Sequence, residues 1–241
     1  MSRRNAKEET QIKSRSQMAS IWMRLKKNKM AMAGLFMLLA MILIAVFGGI
    51  IADYDTEAIQ QNMPERMQTP SAKHWFGTDN FGRDVFARII HGSRISLSMS
   101  IIAMAIAVAI GAVMGAIAGY YGGKTDNILM RFMDILLAIP PMLMSISIVA
   151  ALGQSMVNLL IALAIAYIPV FARVIRSSIL SIKDQEFIEA AKSCGSCNGR
   201  IIFKHIIPNA IGPIIVQATL AMGATILIIA SLSFMGLGVK P

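Results

Sequence analysis

Five long apolar runs dominate the chain, and each predicts a helix that crosses a membrane. A membrane-spanning helix needs about 20 mostly apolar residues to cross roughly 30 Å of hydrocarbon. The pattern therefore predicts an all-α polytopic membrane protein. The predicted spans cover residues 30–52, 95–121, 132–152, 156–172 and 211–234.

Three glycines recur at a four-residue spacing in the second predicted span. Gly111, Gly115 and Gly119 fall on nearly one face of a helix, and their lack of side chains lets another helix come close. We predict tight helix packing on this face. The alternative is that the span merely tolerates glycine, as membrane helices commonly do.

Two consecutive prolines, Pro140 and Pro141, interrupt the third predicted span. Pro141 has no N–H to donate, and its ring crowds the carbonyl four residues before it, so we predict a kink or a break in the helix there. A break of this kind can line a transport path or serve helix packing alone. The sequence leaves both interpretations open.

The composition supports a membrane protein and limits its function. Of the 241 residues, 56% are hydrophobic and only 15% are charged, and the mean hydropathy is +0.62; an ordinary soluble domain is far less apolar. The net charge of +10 does not indicate nucleic acid, because basic residues of membrane proteins usually lie in cytoplasmic loops that face anionic lipid. We therefore expect a lipid bilayer as a partner and no nucleic acid.

The basic residues also predict how the chain is oriented in a cell (inner or plasma) membrane. Cytoplasmic loops are rich in lysine and arginine, so we place the basic N-terminus inside, together with the basic segments that follow the second and fourth spans. The predicted organisation is a cytoplasmic arm at 1–29, a first transmembrane helix at 30–52, an external loop of mixed charge at 53–94, and a multi-helix transmembrane domain at 95–241 with a cytoplasmic loop at about 173–210.

That cytoplasmic loop has the pattern of two short amphipathic helices joined by a bend. We predict that Asp184 caps the first helix and that Gly195 ends it, and that Asn198 caps the second helix and Pro208 ends it. A loop that only joins two spans can be a few residues long, so this one presents a structured surface to lipid headgroups or to another protein. Its apolar stripes comprise Phe187, Ile188, Ala191 and Cys194 in the first helix and Ile201, Ile202 and Ile206 in the second.

The same loop carries a long motif. Its residues are Glu189, Ala190, Ala191, Gly195 and, after nine further positions, the stretch HIIP followed by asparagine, which contributes His205, Pro208 and Asn209. This spacing, placed between two spans, resembles the EAA loop of ABC-importer permease subunits. The chain departs from the usual motif at Ile207, where leucine is more common, and in the cysteines that flank the glycine.

A second stretch, HWFGTDNFGRDVFARIIHGSRISL at 74–97, is similar to the segment before the second membrane helix in permeases of the dipeptide, oligopeptide and nickel transport family. Asp79, Asp84 and Arg83 could also bind an ion, but acidic residues beside glycines in loops are usually turn formers, and we favour turns. The signature residues are Gly77, Thr78, Asp79, Gly82, Arg83 and Asp84.

The resemblance implies the type I ABC-importer permease fold and a permease subunit that does no catalysis and binds no cofactor. Its expected partners are a second homologous permease, two cytoplasmic ATPase subunits that hold ATP and Mg, and an extracellular or periplasmic solute-binding protein. We expect a di- or oligopeptide as the solute, although the group also handles nickel. Family members have a sixth span, which we expect to be missing because the chain stops at Pro241.

The resemblance also implies roles for single residues of the cytoplasmic loop. The loop would dock into a cleft of an ATPase subunit and transmit its movement to the spans. Glu189 would position the bend and Gly195 would permit it, while Phe187 and Ile202 would fill the cleft. The alternative from the residues alone is an amphipathic loop that lies on the bilayer.

Other chemistry finds little support. Cys194 and Cys197 form a CxxC near His205, but structural zinc needs four ligands and only these three candidates are present. No GxxxxGK[ST] stretch occurs to hold ATP phosphates, and no nucleophile with a base stands out. Asp134 is predicted to pair with Arg131, one turn away. The alternatives to an importer are an ion-driven secondary transporter, for which the spans hold few acids or bases, and a membrane scaffold.

Overall fold

The structure is a computed structural model that describes residues 22–23 and 25–238. Within these residues the regular structure is helical, and the only strand-like pairing is a single bridge between Thr78 and Asp84. Four described helices are long and apolar enough to cross a membrane, and one bent helix pair adds a fifth candidate. The predicted all-α polytopic fold is confirmed. Most of the predicted arm at 1–29 lies outside the described residues, as does the chain end at Pro241.

The chain divides into two compact units, Met1–Arg94 and Ile95–Pro241. The first long helix of the first unit, α1, covers Lys29–Ile51, close to the predicted 30–52. Asn28 caps it, because its side-chain oxygen accepts the backbone N–H groups of Met30 and Ala31 at 3.1 and 3.2 Å. Only 11% of its apolar window is buried within the protein, so α1 exposes apolar side chains to lipid.

A folded connecting segment, residues 52–84, follows α1. It contains a π-helical turn at Tyr54–Ile59 and a 3₁₀ turn at Met63–Glu65. The last turn of α1 is fastened to the helix that comes next. Gly48 lies directly against Ile90, and His91 Nε2 donates a hydrogen bond to the Ala52 carbonyl at 2.9 Å.

Helix α2 covers Val85–Tyr121 and therefore begins well before residue 95, where the sequence predicts the second span. Asp84 explains the early start, because its Oδ1 accepts the backbone N–H groups of Phe86 and Ala87 at 2.7 and 3.1 Å. The predicted external loop at 53–94 is thus corrected for its last part, which is helical. The polar residues between positions 85 and 94 are unsuited to hydrocarbon, but they can form a helix. The apolar run therefore marks only the part of α2 that can lie within a membrane.

The predicted break at the prolines is confirmed. Helix α3, Gly123–Leu137, ends before Pro140, and helix α4, Pro141–Leu152, begins at the second proline. The two helices are bent by 82°. Proline is well tolerated in the first turn of a helix, where its missing N–H leaves no hydrogen bond unmade, so Pro141 can start α4 although it could not continue α3.

The fourth and fifth spans are both longer than predicted. Helix α5 covers Met156–Ile182, and helix α7 covers Asn198–Phe234, with the short helix α6, Glu186–Ser193, between them. The predicted cytoplasmic loop at about 173–210 is therefore mostly helix. Charged residues end the part of a helix that suits hydrocarbon, but they do not end the helix itself.

Helix α5 forms the centre of the second unit. It packs against α3, α4 and α7, and its side chains Phe171, Ile175 and Ile179 are fully buried. These residues recur every four positions and so lie along one face of the helix. Lipid tails are as apolar as these side chains, so close van der Waals packing, rather than exclusion of water, holds such helices together within hydrocarbon.

The glycine face of α2 lies against α5. A Cβ atom added at Gly111 would stand 2.7 Å from Phe171 Cβ, and one at Gly119 would stand 3.1 Å from the Arg176 carbonyl oxygen. At Gly115 the added atom would collide with the carbonyl oxygen of Ala172. The backbones of α2 and α5 therefore touch directly, and a larger residue would push them apart.

We expect Gly115→Ala to destabilise the protein by about 1–3 kcal/mol, because the added methyl group has no room beside the backbone of α5. Gly223→Ala is the matched control, since Gly223 lies within α7 and a Cβ there meets no other atom within 4 Å. Thermal unfolding of both variants in detergent micelles measures the difference. Equal midpoints for the two variants would show that this contact does not hold α2 against α5.

Candidate functional site

Helix α6 and the first turns of α7 form the part of the chain that carries the EAA motif; we refer to it as the coupling surface, residues 186–209. Its helices begin one residue away from the predicted caps. Gln185 precedes α6 without a side-chain cap, and Cys197 precedes α7 in the same way. Asp184 and Asn198 are therefore not the caps that the sequence predicts.

The bend between the two helices is closed by the backbone. Gly195 has a φ of +75°, a conformation that costs a residue with a side chain about 1–2 kcal/mol. The Gly195 N–H donates to the Lys192 carbonyl at 2.9 Å, and the Ser196 N–H donates to the Ala191 carbonyl at 3.1 Å, which satisfies the free carbonyls at the end of α6. Among the described residues, the exposed carboxylate of Glu189 has no hydrogen-bond partner, and its role in positioning the bend stays a prediction.

Tyr120, at the end of α2, anchors the bend from the side. Its hydroxyl donates a hydrogen bond to Asn198 Oδ1 at 2.8 Å. Lys192 Nζ lies 5.9 Å from the centroid of the same ring, within the range of a cation–π contact. The sequence analysis missed Tyr120, although a tyrosine at the end of a predicted span is a signal worth examining.

The apolar side chains of the coupling surface divide into an inner and an outer set. Ile188, Ile201 and Ile206 are fully buried against the rest of the second unit, and Ile202 is only 6% exposed. The prediction that Ile202 fills a cleft on a partner is therefore wrong, because this side chain already packs inside its own protein. Phe203, which the sequence analysis passed over, is 64% exposed, and Phe187 is 41% exposed.

Pro208 does not end a helix, in contrast to the prediction. A π-helical turn at Ile201–Ile206 comes just before it, and α7 continues through the proline. The regular hydrogen-bond ladder is already interrupted at the π turn, which accommodates the missing N–H of proline. Asn209 Nδ2 donates to the His205 carbonyl at 2.6 Å and reinforces the same turn. Of the remaining motif residues, Ala190 is exposed and Ala191 is half-buried.

Two ion pairs tie α3 to α5. Arg176 binds Asp126 through two parallel hydrogen bonds of 2.5 Å each, and Arg173 binds Asp134 at 2.7 Å. The predicted pairing of Asp134 with Arg131 is therefore corrected. An arginine on a neighbouring helix satisfies the carboxylate, which a pattern confined to neighbours within one helix could not reveal.

The signature residues of the connecting segment converge on Asp79. Its carboxylate accepts the backbone N–H groups of Phe81 and Arg83 at 2.8 and 3.0 Å. It also binds the side chains of Arg83 and Arg88 at 2.8 and 2.7 Å. Burial alone would raise the pKa of Asp79, but the hydrogen bonds from Arg83 and Phe81 hold this pKa below its ordinary value.

The other signature residues brace the same segment. His74 Nδ1 donates to Asp84 Oδ2 at 2.7 Å, while the other oxygen of Asp84 caps α2. The Thr78 hydroxyl donates to the Glu65 carbonyl. Positive φ angles of 75° and 74° occur at Gly77 and Gly82, where a Cβ would collide with a backbone carbonyl. These residues form turns and ion pairs within the segment.

The two cysteines of the CxxC stretch do not form a disulfide. Cys194 and Cys197 are free and exposed. In the part of the chain that the structure describes, no group of three or more His, Cys, Asp or Glu side chains is arranged to hold a metal ion. The exposed aromatic side chains of the coupling surface are Phe187 and Phe203.

Comparison with known proteins identifies the family to which the chain belongs. Residues 111–241 match the family model described as binding-protein-dependent transport system inner membrane component. The chain belongs to this family. Residues 16–70 match a second model, the N-terminal TM domain of oligopeptide transport permease C. The predicted resemblance to ABC-importer permease subunits is confirmed, and this permease is an integral protein of the inner membrane.

Similar proteins cover most of this permease. The dipeptide transport system permease protein DppC of Alkalihalophilus pseudofirmus is 48% identical over 217 residues, 90% of this chain and 71% of that protein. DppC of Bacillus subtilis is 40% identical over 219 residues, 91% of this chain and 68% of that protein. The glutathione transport system permease protein GsiD of Escherichia coli O6:K15:H31 is 40% identical over 220 residues, 91% of this chain and 72% of that protein.

The lowered pKa of Asp79 makes a pH dependence testable. A carboxylate whose pKa is lowered by folding stabilises the protein above the ordinary aspartate pKa of about 4, and this contribution is lost as the pH falls through the lowered value. We expect Asp79→Asn to be less stable than wild type at pH 7 and the difference to shrink below pH of about 4. Thermal midpoints measured across this range would contradict the assignment if the difference stayed constant.

A matched control for that experiment is Asp55→Asn. Asp55 is an exposed carboxylate of the same segment, and among the described residues its side chain makes no ion pair. Its replacement should leave the thermal midpoint nearly unchanged at every pH, since surface substitutions away from specific contacts usually alter stability by less than about 0.5 kcal/mol.

Substitutions in the inner and outer sets of the coupling surface should differ in their effect on stability. Ile202→Ala should cost about 2–5 kcal/mol, because it empties a packed position. Phe203→Ala should stay within about 0.5 kcal/mol of wild type, since the ring is mostly exposed. Chemical denaturation in micelles measures both, and a large loss for Phe203→Ala would place this ring in the core.

Proposed function

We propose that this chain is a transmembrane permease subunit of an ATP-driven importer and that its solute is a di- or oligopeptide. Membership of the binding-protein-dependent family supports the importer. The names of the similar proteins, which are dipeptide and glutathione transport system permeases, support a short peptide as the solute. ATP dependence of uptake distinguishes this function from an ion-driven secondary transporter.

The observation that carries the proposal is the two-sided construction of the coupling surface. Its inner side chains, Ile188, Ile201 and Ile206, are buried in the transmembrane unit, so the surface moves with the helices beneath it. Its outer side presents Phe187, Phe203 and the exposed carboxylate of Glu189. A rigid helix pair transmits a displacement that a flexible loop would absorb.

The outer side fits a cleft on a cytoplasmic ATPase subunit. Exposed aromatic rings are the kind of side chain that anchors protein interfaces, and Glu189 is available for a basic residue of the partner. Two such ATPase subunits, closing on ATP and Mg, would pull on this permease and on a second homologous permease. The chain itself then needs no catalytic group and no cofactor.

The proposed orientation decides on which side of the membrane each partner would bind. With the N-terminus in the cytoplasm, the coupling surface and its basic residues Lys192, Arg200 and Lys204 face the cytoplasm as well. The connecting segment then lies outside, where an extracellular or periplasmic solute-binding protein would deliver the solute.

We expect Glu189→Lys and Gly195→Pro to weaken binding of the ATPase subunits and to abolish ATP-driven peptide uptake while membrane insertion stays intact. The first variant reverses the charge offered to the partner, and the second removes the N–H that closes the bend. Co-purification from membranes, together with uptake of a labelled dipeptide by the same vesicles, measures both effects. Normal binding and uptake in both variants would refute a role for this surface in coupling.

Phe203→Ala is a sharper test of ATPase binding, because this variant should weaken binding without loss of stability. The matched control is Phe36→Ala, which removes an equally large and exposed ring from α1 and should leave ATPase binding unchanged. If both alanine variants lose ATPase binding to the same extent, the loss is not specific to the coupling surface.

A further inference from the structure

The connecting segment exposes large aromatic side chains beside the start of α2. The ring centroids of Trp75 and Phe76 lie 5.0 and 5.3 Å from that of Phe86. The three rings form a cluster, yet Trp75 is 62% exposed and Phe76 is 55% exposed. Such rings on the surface of a folded segment indicate contact with something that is at least partly apolar.

The contacts of α1 fix the depth of this cluster relative to the membrane. The 23 residues of α1 span about 35 Å, enough to cross roughly 30 Å of hydrocarbon, so the hydrocarbon boundary lies near the end of the helix at Ile51. Gly48 lies against Ile90, and Ala52 accepts the hydrogen bond from His91. Ile90 and His91 therefore lie at that boundary.

The cluster lies a short distance beyond the boundary. Phe86 precedes Ile90 by one helical turn, which is about 6 Å along the helix axis. The polar headgroup layer of a bilayer is about 5–8 Å thick on each side. Trp75 and Phe76, in contact with Phe86, are therefore at headgroup depth, and Tyr54, whose ring lies 5.0 Å from that of His91, is at the boundary itself.

We propose that the edge of the connecting segment formed by Trp75 and Phe76 is seated in the lipid headgroup layer of the leaflet in which α1 ends. The lipid-facing surface of α1 continues into this edge through the contacts at Gly48 and Ala52. Tryptophan suits this layer, because its ring is largely apolar while its N–H can donate to headgroup oxygens. The segment is thereby held at a fixed depth at the membrane surface.

The sequence allows a direct test, because the chain has only two tryptophans. The variant Trp22→Phe leaves Trp75 as the only tryptophan of the full chain, which is reconstituted into phosphatidylcholine vesicles. We expect lipids brominated near the headgroup end of the acyl chain to reduce Trp75 emission more than lipids brominated near the chain terminus. We also expect aqueous iodide to quench it less than it quenches free tryptophan. Strong quenching by iodide with none by brominated lipid would overturn the proposal.

A protein partner on the same edge is the competing outcome. A photo-reactive benzoylphenylalanine at position 75, introduced into the chain in living cells, distinguishes the two cases, with Gln61 of the same segment as the control position. Adducts with phospholipid at position 75 and not at position 61 support the proposal, whereas an adduct of position 75 with another protein overturns it. Neither measurement depends on transport activity, so the result is independent of the proposed function.

Discussion

Direct backbone contact between α2 and α5 is the constraint on which the second unit depends. Within hydrocarbon no water is displaced when helices meet, so attraction grows only as atoms approach one another. Gly111, Gly115 and Gly119 remove the side chains that would keep α2 away. Helix α5, held on this side, offers its remaining faces to α3, α4 and α7. The arrangement of these helices therefore depends on the three glycines of α2, which have no side chains.

The coupling surface inherits its position from this core. Ile188 and Ile201 are buried in the same cluster of side chains as Phe171, and Tyr120 continues α2 directly into the hydrogen bond with Asn198. The exposed rings of Phe187 and Phe203 are thus attached to a packed core, and no flexible linker separates them from it. A force applied to these rings is therefore passed to the core. This continuity gives a physical basis for treating the motif as a mechanical element.

Sequence patterns revealed the spans, the proline break and the glycine face, because each depends on local chemistry that repeats along the chain. They failed at helix ends. An apolar run shows which part of a helix can lie in hydrocarbon. The start of α2 is instead set by the hydrogen bonds that Asp84 accepts from backbone N–H groups, and hydropathy contains no information about them. Ile202 and Asp134 were misassigned because their neighbours come from distant parts of the chain. Tyr120 was missed for the same reason, since nothing near it in sequence suggests Asn198.

The two ion pairs between α3 and α5 differ in exposure, and therefore in how strongly each holds α3 to α5. Asp126, near the start of α3, is held by a paired, half-buried contact with Arg176, while Asp134, toward its end, is half exposed with Arg173. Exposed pairs contribute less than about 1 kcal/mol, and paired arginine contacts are stronger. The ion pair at the start of α3 therefore holds this helix to α5 more strongly than the pair near the 82° bend does.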